Sequence, residues 1–205
     1  MSAAGKIMTG FSKPYVAKYT ASGSSVSYSD GQLLARGVSV TISPDSSDDN
    51  NFYADNVTAE TLGGIFTGGE VTLGVDGLLL STEQLILGLP TADTFSVSTD
   101  TDVQMYKYGQ AANPPYVGIG FIYRYMQDGT TYYRPTILRK CRFNIPEENS
   151  ETQGEEVDWQ SAELTAQIMR DDTDAHDWKW VAADQTTEAA AENIVRKALG
   201  MALLA

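Results

Sequence analysis

Residues 116–146, YVGIGFIYRYMQDGTTYYRPTILRKCRFNIP, constrain the fold more than any other stretch. Val117, Ile119, Phe121, Tyr123 and Tyr125 recur at every second position, the period that places side chains on one face of a strand. Tyr133, Ile137, Cys141, Phe143 and Ile145 share a face in the same way on a second arm. Between the arms lies Gln127-Asp128-Gly129, where Gly129 is free to take a positive φ. A two-residue loop would set Tyr125 opposite Tyr132 and Val117 opposite Lys140, mixing apolar with basic faces. A three-residue loop sets Ile119 opposite Ile137 and Tyr123 opposite Tyr133, so the apolar pattern predicts that register. The other face carries Arg134, Lys140 and Arg142 and is expected to be solvated or paired. A hairpin this long needs further sheet to cover it.

The totals set the frame for that hairpin. A chain of 205 residues, 42% hydrophobic and 20% charged, buries one good core and is not predominantly disordered. Asp+Glu 27 against Lys+Arg 14 gives a net charge of −13, a field that repels phosphate backbones and disfavours adhesive binding to nucleic acid. Cys141, the single cysteine, excludes an internal disulfide or a cysteine-based zinc site, and its position on an apolar face predicts a buried, inert thiol. The N-terminal MSAAGKIMTG lacks the apolar core of a signal peptide, and no run approaches the ~18 apolar residues of a membrane span. A reducing, soluble compartment is expected on these grounds.

Alternation and punctuation lay out the rest. Residues 1–13 read as a loose arm, followed by a strand over 14–20 and a short polar strand before Asp30-Gly31. Val38, Val40 and Ile42 mark a strand that Pro44 is expected to close, and the acidic run DSSDDNN then reads as irregular. Phe52 and Tyr53 follow, and two readings fit them: the start of a strand at the core edge, or a projecting hairpin whose aromatics need a neighbouring molecule. Val71, Leu73 and Val75 form another strand, and Ser81-Thr82-Glu83-Gln84 fits a capping box opening a short helix near 81–88. TADTFSVSTDTD reads as a loop and 105–108 as a short strand. Leu164 to Arg170 reads as a strand, Trp178 and Trp180 alternate on a returning one, and a C-terminal helix covers 187–199. The fold expected is mainly β, a β-sandwich or partly open barrel of eight to ten strands with two helices.

Little here points to catalysis. His176, the one histidine, sits in an acidic turn without a nucleophile pattern, and is read as solvated. Asp172, Asp174 and His176, or Asp45, Asp48 and Asp49, lack the glycine and terminal glutamate of a calcium loop. The Gly63-Gly64 and Gly68-Gly69 pairs lack the Lys-Ser/Thr of a phosphate loop. Neither a catalytic residue, a metal site nor a cofactor is expected.

Taken in order, several segments carry a resemblance: Ser43-Pro44 ending a strand, an acidic gap, FYADN with Glu60, PYVGIGF into the long hairpin, RFNIPEE closing it, and a last strand pair with WKWV across from LTAQIMR. Over residues 14–184 the chain resembles the major tail proteins of long-tailed bacteriophages, in the phi13-like group of tail tube subunits. The resemblance implies a tail-tube β domain over 14–184, an arm over 1–13, a C-terminal helix and tail over 185–205, and a projecting loop over 45–56. It implies hexameric rings stacked into a tube within the virion tail, made in the host cytoplasm. The implied partners are copies of the chain itself, other tail proteins, and DNA passing without specific binding; no membrane is involved. Asp45, Asp48, Asp49, Phe52, Tyr53, Asp55 and Asn56 become the implied subunit contacts, which favours the projecting-hairpin reading. Val117, Ile119, Phe121, Tyr123, Tyr133 and Ile137 become the implied ring-closing strand, because long strands with open edges would be satisfied by closing a ring. An acidic lumen would follow from the net charge, provided that Arg124, Arg134, Arg139, Lys140 and Arg142 pair with acids or face the subunit junction. A different class of function also fits, a monomeric carbohydrate-binding β-sandwich that uses Trp159, Trp178 and Trp180 for stacking.

Overall fold

The computed structural model describes residues 5–96, 103–148, 150, 152 and 160–204. The long hairpin forms strands β9 (Val117–Gln127) and β10 (Thr130–Phe143), and they occupy the middle of a single antiparallel sheet. On one side β9 pairs with β1 (Ile7–Ser22), which pairs with the edge strand β2 (Ser25–Leu33). On the other, β10 pairs with β11 (Ala162–Met169), then come β6 (Phe66–Val75) and the other edge, β3 (Gly37–Ser46). The sheet curls until its ends approach, and the Phe11 ring on β1 lies against Gly37 at the start of β3. β2 and β3 do not pair, so the barrel stays open. The fold is mainly β, as the alternation implied.

The register is the two-residue one, against the expectation. Asp128 (φ 49°) and Gly129 (φ 77°) are both left-handed, which makes a tight turn matched to strand twist. Tyr132 therefore faces Tyr125, Leu138 faces Ile119, and Ile137 faces Gly120. A bulge between Leu138 and Cys141 then brings Cys141, not Lys140, opposite Val117. Ile137 consequently points to the opposite side of the sheet from Cys141 and Phe143. Both faces of the sheet are buried here, so apolar alternation could not choose the register and the turn did.

Each face has its own core. Val117, Ile119, Phe121, Leu138, Cys141 and Phe143 pack into the concave side with β6, β11 and helix α1 (Leu80–Leu87). Tyr15, Ala17, Ile122 and Ile137 pack against helix α2 (Glu188–Ala198) through Ala191, Val195 and Leu199. Gly118 and Gly120 permit that approach: a Cβ on Gly120 would lie 2.6 Å from Val195 Cγ1.

Several local expectations shift. Residues 7–12 are not loose, since they form the start of β1 and pair with β9 as far as Met126. β3 continues past Pro44 to Ser46, because an edge strand tolerates a missing N–H. Helix α1 starts at Leu80 with Leu79 at its cap and no side-chain cap bond, so Ser81 does not open it; left-handed Gly88 ends it. Helix α2 is capped by Thr187, whose hydroxyl accepts from Ala190 N–H. The strand containing Trp180, β12 (Lys179–Val181), pairs with β10 rather than with β11, which lies farther along the same β10 edge. Strand β7 (Asp93–Phe95) lies where a loop was expected and pairs with β8 (Val103–Met105), which ends where the short strand over 105–108 was expected to begin.

Candidate assembly surfaces

Between β3 and β6 the chain leaves the main sheet and folds on itself. β4 (Asn50–Ala54) and β5 (Val57–Leu62) pair only with each other, joined by Asp55 (φ 51°) and Asn56 (φ 62°) in a two-residue turn. Short polar bonds set its base. Asp49 accepts from Gly64 N–H at 2.9 Å, Ser47 Oγ accepts from Ile65 N–H at 3.0 Å, and the Thr61 hydroxyl donates to Asn51 at 2.7 Å. All eleven hairpin residues in β4 and β5 are exposed, with Phe52 64%, Tyr53 63%, Val57 62% and Leu62 64% accessible. A two-stranded hairpin without a covering layer is marginal in water, and large apolar groups raise the cost of leaving it bare.

The hairpin and its base bring together Asp45 at the end of β3, Asp48 and Asp49 in the link, Phe52 and Tyr53 on β4, and Asp55 and Asn56 at the tip. The proposed ring-closing residues fare differently. Val117, Ile119 and Phe121 are fully buried, Ile137 is 2% exposed, and Tyr123 and Tyr133 are partly buried. β9 lies between β1 and β10, while β10 has β9 on one side and β11 and β12 on the other, so this hairpin offers no long open edge. The open margins belong to β2 and β3 instead. Their signal was present as polar-rich strands, SVSYSDGQL above all, which is how natural edges discourage random pairing.

The hairpin cations are largely spent inside the chain. Arg134 binds Asp184 through Nε at 2.6 Å and Nη2 at 3.1 Å, and Lys6 reaches the same carboxylate at 2.5 Å. Arg134 first, and Lys6 with it, hold the Asp184 carboxyl at about 2, against the partial burial that opposes ionisation. Arg139 pairs with buried Asp171 at 2.8 Å and lies 3.6 Å from the Trp180 ring centroid. Burial pushes the Asp171 carboxyl up, but the bonds from Thr173 and Arg139 outweigh it and leave it lowered. Lys140 binds Asp172 at 2.6 Å, and Tyr19 donates to that carboxylate at 2.7 Å. Burial and the Asp172 carboxylate drive the Tyr19 phenol to about 12. Arg142 donates to Asn113 at 3.1 Å, while Arg124 has no acidic partner among the described residues. Three of these five cations are thus neutralised internally, and Arg124 and Arg142 have no acidic partner among the described residues.

Other candidate groups sit in structural settings. Cys141 is buried, and burial pushes its thiol up. His176 Nδ1 lies 3.2 Å from the Asp171 carbonyl, in a left-handed turn. No group of three or more His, Cys, Asp or Glu is placed to hold a metal among the described residues. Trp178 stacks on Phe66 at 4.5 Å and Trp180 packs under Arg139, so the two rings form no joint open platform; Trp159 lies outside the described residues. Among the described residues no helix is long and apolar enough to cross a membrane. Comparison with protein-family models and with curated protein sequences finds no match.

Proposed function

We propose that the chain is a structural subunit of a bacteriophage tail tube, or of a phage-derived particle, which joins copies of itself into hexameric rings stacked around an acidic lumen that conducts DNA. The observation that carries this reading is the β4–β5 hairpin. It exposes Phe52, Tyr53, Val57 and Leu62 away from both cores, and burial against another molecule is the ordinary reason for such a feature. The open edges of β2 and β3 add backbone donors and acceptors for sideways union, a role that the sequence resemblance gave to β9 and β10. A net charge of −13, with hairpin cations bound to Asp171, Asp172 and Asp184, leaves carboxylates to dominate the surface past which DNA would slide. The reading assigns no catalytic residue, cofactor or membrane contact, and places the protein in the virion tail beside other tail proteins.

Size-exclusion chromatography with light scattering, followed by negative-stain electron microscopy over a range of concentration and salt, tests it. Rings or tubes with six-fold end views are expected. Monomers under every condition would remove the proposal.

A further inference from the structure

The first part of β1 and helix α2 are bound side chain to side chain, although they stand at opposite ends of the sequence. Lys6 Nζ lies 2.5 Å from Asp184, in the link before α2, and the Ser12 hydroxyl donates to Glu188 at 2.7 Å. Lys13 pairs with Glu192 at 2.9 Å, the Tyr15 hydroxyl donates to the same carboxylate, and Arg196 donates to the Tyr15 oxygen at 3.3 Å. The contacts run in step along both segments. Glu188, Glu192 and Arg196 recur at four-residue spacing, so they share one stripe of the helix, beside the apolar stripe of Ala191, Val195 and Leu199 that meets the sheet. Residues 7–12 have little else to hold them. Ahead of Tyr15, β1 pairs with β9 alone, because β2 joins it only from Tyr15 onward. The register slips twice there, between Met8 and Gly10 and again between Ser12 and Tyr15, and each bulge disrupts the ladder. At the second, Lys13 takes φ 55° immediately before Pro14, a conformation that persists only where the surroundings impose it. Ile7 and Met8 are exposed, the Thr9 hydroxyl donates to the Arg124 carbonyl at 3.3 Å, and Phe11 alone of this stretch reaches a core, beside Phe121.

We infer that residues 7–12 and helix α2 form a single strap, which opens and closes as one unit while the rest of the sheet stays folded, with Asp184, Glu188 and Glu192 as its catch. Those carboxylates are faced by Lys6, Ser12, Lys13 and Tyr15 on the strand side, by Arg196 on α2 and by Arg134 on β10. Helix α2 has 11 residues, too few to persist in water, so it leaves the sheet by unfolding. Losing it frees Lys13 from the only ion pair that steadies its strained backbone, and the bulged strand goes with it. Opening uncovers the β9 edge over residues 122–126 together with the face at Gly118 and Gly120 that α2 covers. The strap is built from contacts within one chain, so it stands whether or not the chain forms tubes. Acid works the catch. Arg134, with Lys6, holds the Asp184 carboxyl at about 2; burial raises that of Glu192, but the bonds from Tyr15 and Lys13 outweigh it and leave it lowered. Both values are depressed in the closed state, so the open state takes up protons first and opening becomes easier as pH falls below about 4.

Native-state hydrogen exchange, read segment by segment and corrected for the intrinsic exchange rate, tests the strap. Ala189→Gly weakens α2 at an exposed position and leaves every contact to β1 in place. It should speed exchange over residues 190–199 about fivefold, and over residues 7–12 by the same factor, with β6 and β11 unchanged. Met8→Gly, at an exposed position of the strand partner, should show the reverse coupling by accelerating α2 as much as residues 7–12. In the wild type both segments should open at least tenfold more readily at pH 3 than at pH 5. Acceleration confined to the segment that carries the substitution overturns the single unit. So does equal acceleration of β6 and β11, which would make the opening global. Protection of the two segments that does not change between pH 5 and pH 3 overturns the carboxylate catch.

Discussion

Asp184 ties three separate parts of the chain together, and acid should cut the tie. Its carboxylate binds Lys6, just before β1, and Arg134 on β10, and it lies in the link between β12 and α2. The side chain is 12% exposed, so solvent screens the pairs only partly. The carboxyl titrates near 3.8 in the unfolded chain and at about 2 in the folded one. A depressed folded value means that the unfolded state takes up the proton first. The contribution is therefore complete above about pH 4 and disappears as pH falls through about pH 2, and a shift of nearly two units is worth about 2 kcal/mol. Asp184→Asn should lower the unfolding free energy at pH 7 by about that amount, or a melting temperature by about 4–8 °C for a chain of this size. Urea titrations of wild type and Asp184→Asn at pH 7, 4, 3 and 2 measure it. The gap between the two proteins should be constant from pH 7 to 5 and close towards pH 2. A gap that persists unchanged at pH 2 would show that the carboxylate stabilises through something other than its charge, and would refute the reasoning.

Three further outcomes follow from the geometry. Phe52→Ala/Tyr53→Ala removes side chains that belong to neither core, so the monomer should melt within about 1 °C of wild type, while the concentration needed for assembly, read by light scattering, rises about 100-fold for roughly 3 kcal/mol of lost burial. Gly120→Ala forces a Cβ to within 2.6 Å of Val195 Cγ1, a stiff branched side chain on α2, and should cost about 1–3 kcal/mol in calorimetry even though alanine suits a strand better than glycine. Glu192→Gln keeps an acceptor for the Tyr15 hydroxyl but loses the ion pair with Lys13 at 2.9 Å. Lys13 holds a left-handed φ of 55° at the bulge in β1, just before Pro14, so hydrogen exchange over residues 7–12 should accelerate about tenfold while β9 and β10 stay protected.

What could be read from the residues depended on whether one physical effect acted alone. The alternation in residues 117–125 places a strand correctly because nothing but a strand has that period, and Thr187 with Gly200 brackets α2 for an equally local reason. The partner of Ile137 was not legible. That residue is apolar on a sheet with two cores, so the rule that an apolar side chain faces inward is satisfied in either register. Only the φ values of Asp128 and Gly129 break the tie, and the bulge at 139–140 then hides the break from any count of alternating positions. Ser81 has the composition of a cap but lies one residue inside the helix, because the burial of Thr82, Ile86 and Leu87 fixes the helix phase. The candidate surface divides in the same way. The hairpin at 50–62 is marked by aromatics between acidic runs, whereas the loss of β9 as an edge follows from β1 reaching back to Ile7, a long-range pairing with no local sign.

The distribution of charge links the two halves of the reading. A net of −13 opposes a compact fold through self-repulsion, and five of the cations are placed against it inside the fold. Lys6, Lys13, Arg134, Arg139 and Lys140 each bind an acid on a segment remote in sequence: Asp184, Glu192, Asp171 or Asp172. Those bonds fasten the start of β1, through Asp184, and the turn after β11 to the central hairpin, and helix α2 to β1. Residues 45–65 receive no cation at all. Those five cations act as internal fasteners, while Arg124 and Arg142 stay exposed without an acidic partner among the described residues. In the proposed tube, joining therefore rests on apolar contact at the β4–β5 hairpin and backbone pairing at the β2 and β3 edges.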